Sequence, residues 1–118
     1  MAESFQSLVS IKSVLVMHLL RQQIEEDLTL LTAASLNLSD CLIRRLQDLH
    51  GLLLTRIAEQ KRLLRRHSVR VTEQQKNSLD FTIAYVERGY RVQHCFLMAT
   101  LQAEAEILFN TLLEGGTA

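Results

Sequence analysis

Apolar residues recur along this chain at steps of three and four, the spacing that stacks side chains on one face of an α-helix. The longest run comprises Leu79, Ile83, Val86, Tyr90, His94, Leu97, Leu101, Ala105, Leu108 and Leu112. The chain has no proline, so nothing obliges the backbone to leave a helix between Thr72 and Glu114. Unbroken, that helix spans roughly 60 Å at 1.5 Å per residue. Such a length exceeds a compact domain of this size, and part of its apolar face is expected to meet another chain.

Two helices precede it. The first is expected to start near Ser4 or Ser7, either of which can accept from the free amides of a first turn, and to run to about Thr32. It carries Leu8, Ile11, Leu15 and Leu19 on one face and Val14, Met17, Ile24, Leu28 and Leu31 on a second, with Val16 and Leu20 between them. A helix that is apolar nearly all round is buried on several sides, in its own fold or in an assembly. Ala33 to Ser39 reads as a connection, with Asn37 as N-cap and Asp40 favouring the dipole of a second helix that continues to about Arg66. The stripe of that helix is Leu42, Leu46, Leu49, Leu53, Ile57 and Leu64. Thr72 and Gln75 have capping-box spacing for the third helix, and Gly115-Gly116 is a natural stop. Gly89 is the position at which that helix divides if it divides at all.

The pattern predicts an all-α fold: an antiparallel bundle of three long helices, or four if the last breaks at Gly89. Residues 1–118 form a single domain, packed in coiled-coil fashion and completed by oligomerisation. With the second connection centred near residue 69, Leu42 lies level with Phe96 and Cys41 within about one helical turn of Cys95. Ile107, Leu108, Phe109, Leu112 and Leu113 then extend past the end of their own hairpin, as an apolar surface of the kind that marks a partner site. Val16 and Leu20 are further candidates for that surface.

Composition changes this picture little. The chain is 47% hydrophobic with zero formal net charge, so any electrostatic role must come from local segregation of charge. The Met-Ala-Glu-Ser-Phe start lacks the pattern of a signal peptide, and the longest apolar stretch, Val14 to Leu20, is far short of a transmembrane span. Two cysteines do not make a disulfide framework; they read as small buried residues in a reducing cytoplasm, with a Cys41–Cys95 bond geometrically conceivable.

Candidate chemistry is sparse. His94 and His18 fall in apolar stripes without the inward glutamates and Glu-x-x-His pairs of a di-metal bundle, so no metal is expected. His50 is followed by Gly51-Leu52-Leu53-Leu54, which lacks the lysine and glycine typical of phosphotransfer histidines. No nucleophile elbow or phosphate loop occurs, and neither an enzyme nor a cofactor is expected. Charge does cluster: Arg56, Lys61, Arg62, Arg65, Arg66 and Arg70 are opposed only by Glu59. The leading expectation is a non-enzymatic protein–protein interaction module, a small adaptor, assembly factor or secretion-type chaperone, that dimerises or holds a partner helix through apolar anchors. The alternative is a nucleic-acid-binding or regulatory protein acting through the arginine-rich turn.

Overall fold

The computed structural model describes residues 6–34 and 36–115. Two long helices, α1 (Ser7–Ala33) and α2 (Ser39–Arg66), are followed by strands β1 (Val69–Lys76), β2 (Asp80–Glu87) and β3 (Tyr90–Leu97) and by a final helix α3 (Met98–Leu113). The fold is therefore α+β, which corrects the expectation of an all-α helical bundle with coiled-coil packing. The first two helices lie where the hydrophobic stripes place them. The third does not exist as one element: its first part is a three-stranded antiparallel sheet in the order β1-β2-β3.

Local chemistry explains the sheet. Phe81, Ile83 and Tyr85 alternate with smaller or polar residues, and Val92, His94 and Phe96 do the same on β3, the period-2 signature of a half-buried strand. Cross-strand partners include Ile83 with His94 and Phe81 with Phe96, so one face collects these side chains. Gly89 breaks no helix but turns a hairpin. Glu87 pairs with Tyr90, leaving Arg88 and Gly89 as a two-residue loop with φ of 52° and 86°. Positive φ at both positions is what a type I′ turn needs, and that turn matches the right-handed twist of the strands. At the other hairpin, Asn77 Oδ1 accepts from the amides of Leu79 and Asp80 at 3.0 and 2.9 Å.

Thr72 begins no helix. It is the extra residue of a β-bulge between Val71 and Glu73, and its hydroxyl donates to the Ala84 carbonyl at 3.2 Å. Asn37 caps nothing either; the residue before α2 is Leu38, and the Ser39 hydroxyl instead accepts from the Leu36 amide at 3.2 Å. Ser4 and Gly116 lie outside the described residues. At the end of α3, Gly115 takes a left-handed φ of 74° and donates to the Leu112 carbonyl at 3.0 Å.

The core joins all six elements. Ile11, Leu15, Leu20 and Ile24 of α1 pack with Leu49, Leu53 and Ile57 of α2, Val69, Ile83 and Phe96 of the sheet, and Leu101 and Ala105 of α3. Most of the apolar surface of α1 is thus answered within the chain, with Val9 and Leu30 left exposed. Val16 and Leu20, considered as partner surface, are both buried. The register that made an overhang of the C-terminal residues disappears with the long helix: Leu112 is buried, Leu108, Phe109 and Leu113 pack against the core, and only Ile107 stays largely exposed. Cys41 and Cys95 are free and exposed, not core residues and not bonded to one another.

Candidate binding cleft

Where α1, the C-terminal half of α2, the inner sheet face and the start of α3 converge, they leave a half-open cleft of about 630 Å³. Its floor is apolar, formed by residues such as Ile11, Leu15, Leu64, Val71, Ile83 and Leu101. Its rim is cationic: Arg21, Lys61, Arg65, Arg70 and Lys76 line it, and among the described residues no carboxylate does. Arg21 is compensated by Glu25 at 2.7 Å. Among the described residues, Lys61, Arg65, Arg70 and Lys76 have no ion-pair partner within 4.0 Å.

The bulge at Thr72 creates much of this asymmetry. Before it, Val69 and Val71 face inward and line the cleft; after it, Gln74 and Lys76 do, paired with Ile83 and Phe81. Strict alternation from Val71 would have placed Glu73 and Gln75 on the inner face, because successive strand residues point to opposite sides. One inserted residue thus replaces an inward carboxylate with an inward ammonium. Glu73 is left among the exposed residues, where it accepts from Arg91 at 2.7 Å. Carboxylates lie close but outside: Glu25 and Glu26 border a neighbouring hollow that shares Leu19, Gln22 and Lys76 with the cleft.

His18 lies within the lining of the cleft. Burial first, then the Lys61 ammonium and the Arg21 guanidinium, hold its imidazole below the ordinary histidine range. Arg21 Nε lies 3.4 Å from His18 Nδ1, an arrangement suited to a neutral, accepting ring. The sign of the consequence follows from proton binding. The unfolded chain protonates this histidine near pH 6.5 while the folded chain resists, so stability falls as pH drops below about 6.5 and levels off once the folded imidazole is itself charged. The urea midpoint should therefore be lower at pH 5.5 than at pH 7.5, and His18→Gln should flatten that step. An equally steep step in the variant would remove His18 as its cause. Glu25 cannot mimic the effect: hydrogen bonds from His50 and then Arg21 lower its carboxyl, and its contribution is lost only as pH falls below the ordinary carboxylate range.

Three of the six cations singled out in the sequence, Lys61, Arg65 and Arg70, come together on the rim, whereas Arg56, Arg62 and Arg66 lie off it. Arg21 and Lys76 complete the rim; sequence reading missed both, because Arg21 lies on another helix and Lys76 was expected within a helix rather than on the inner face of a strand. The bulge that turns Lys76 inward has no signature at the level of composition. His94 lies on β3, tilted against Phe96 with ring centroids 4.6 Å apart, and His50 contacts Glu25 at 2.7 Å. Among the described residues, no three potential metal ligands converge.

The family model described as YhjD protein matches residues 2–117. No curated protein and no solved structure matches the chain.

Proposed function

The chain belongs to the YhjD protein family, and within that family we propose that it is a non-enzymatic interaction module that dimerises through the turn of its helical hairpin. One observation supports the reading most. Leu30, Leu36, Leu38 and Leu42 surround the α1–α2 connection, and they are 68%, 56%, 67% and 43% exposed. Helix α3 ends at Leu113, whose carbonyl accepts from Arg45, less than one turn beyond Leu42 on α2. Large apolar side chains gathered on one solvent-facing turn are the usual mark of an interaction site. A second copy supplies a matching surface, since a two-fold contact joins the same patch on both subunits. The rival reading, nucleic acid on the basic cluster, has less support, because three of its six cations face the cleft.

Sedimentation equilibrium tests the proposal. The wild type should approach twice the 13.5 kDa chain mass, and Leu36→Asp combined with Leu38→Asp should return it to a single chain. Both side chains are exposed, so the fold should survive the change. A wild type that stays monomeric at millimolar concentration would refute self-association. We place the module in the cytoplasm, a reading supported by two exposed cysteines left unbonded. Among the described residues, no helix is long and apolar enough to cross a membrane.

A further inference from the structure

The cleft stands apart from the hairpin turn, and its chemistry suggests a different occupant. We propose that it binds a small anionic amphiphile, with the apolar body on the Leu15–Ile83 floor and the anionic head among Lys61, Arg65 and Lys76. The proposal does not rest on dimerisation.

Three observations carry it. The first is the separation of chemistry within one cavity: an apolar floor beneath a rim that, among the described residues, has cations and no carboxylate. Ligand sites are commonly apolar hollows with a few placed polar groups, in the range of roughly 300–1,000 Å³, and about 630 Å³ falls within it. The second is the state of the cations. Four of them have no acidic partner within 4.0 Å among the described residues. Like charges held together around a hollow favour an anion there. The third is the Thr72 bulge, which turns Lys76 rather than Glu73 toward the cleft. The depressed proton affinity of His18 comes first from burial and then from the Lys61 and Arg21 charges at the edge of this cleft.

The cations gathered over a half-open apolar hollow favour a small molecule with one anionic head over a helix of a partner protein, whose binding the test below separates. A single chain or a small ring system fits, with its head at the open side. Carboxylate and phosphate heads share the chemistry that the rim recognises, since both accept charge-assisted hydrogen bonds from guanidinium and ammonium groups.

Isothermal titration of the full chain, with probes kept below their micelle concentrations, tests the proposal. Dodecanoate and dodecyl phosphate should each bind saturably at one site per chain. Dodecyltrimethylammonium and inorganic phosphate, which supply the chain and the head separately, should bind at least tenfold more weakly. Lys61→Ala combined with Arg65→Ala should weaken both anionic probes about tenfold or more, whereas Arg62→Ala combined with Arg66→Ala, in the same cluster but off the rim, should change them less than twofold. Equal loss in the two double variants would reduce the effect to general surface charge and overturn the site. So would equal binding of the cationic probe, several molecules bound per chain, or tighter binding of an acidic amphipathic peptide or of anionic vesicles than of the free amphiphile. Both double variants replace exposed side chains, and a retained urea midpoint establishes that each is folded. Failure here leaves the mass of the wild type untouched, so the two proposals fail separately.

Discussion

Leu53→Ala should remove about 2–5 kcal/mol of folding stability, the range for deleting a fully enclosed leucine and leaving a cavity. Leu53 is 0% exposed and lies at the middle of α2, within a cluster that includes Ile11, Leu49, Ile57 and Leu101. Its surroundings come from several elements, so the site cannot collapse by moving one side chain. Domains have only about 5–15 kcal/mol in total, and the loss takes a large share of that. In urea, with a slope of about 1–3 kcal/mol per molar, the midpoint should fall by roughly 1 M or more. A loss under about 1 kcal/mol would mean that α2 is not packed at this position. Leu54, the next residue, is 48% exposed, and Leu54→Ala should be close to neutral.

Ile83→Ala should cost a similar amount, about 2–5 kcal/mol, and it tests the fold itself. Ile83 is 1% exposed on the central strand, between Gln74 and His94, with its side chain in the common core. Amide exchange distinguishes the consequences. Because sheet and helices share one core, faster exchange should appear in β1–β3 and in the buried turns of α1 and α2 together. Loosening of the strands alone, with the helices still protected, would show two separate units and contradict a common core. Leu53 and Ile83 belong to one packed cluster, so the effect of the two substitutions combined should depart from the sum.

These two residues also mark how far the fold could be read from the chain alone. Leu53 lies on the Leu49–Leu53–Ile57 stripe of an amphipathic helix, and α2 ends at Arg66, where its pattern ends. Ile83 was recognisable as buried, but on the wrong element. A step of four residues lies on one face of a helix and also on one face of a strand, because four is both near 3.6 and twice two. Leu79–Ile83 and Tyr90–His94 therefore fit both readings. The discriminating signals were the alternation at Phe81, Ile83 and Tyr85 and the two-residue turn at Arg88-Gly89. With no proline, and with α3 beginning directly after Leu97, the real helical period of the C-terminal part extended backwards over the strands.

The binding cleft shows the same division. Lys61, Arg65 and Arg70 were visible as a local cluster of charge, while Arg21 and Lys76 join them only through the fold. Residue order and polarity were enough to establish which segments are apolar, the extents of α1 and α2 to within a few residues, and the concentration of cations near the end of α2. Packing in three dimensions settled that residues 69–97 pair as strands, that the C-terminal leucines mostly turn inward, and that Lys76 rather than Glu73 faces the cleft. Periodicity records which side chains share a face, whereas the partner of that face is set by hydrogen bonds and contacts between residues far apart along the chain.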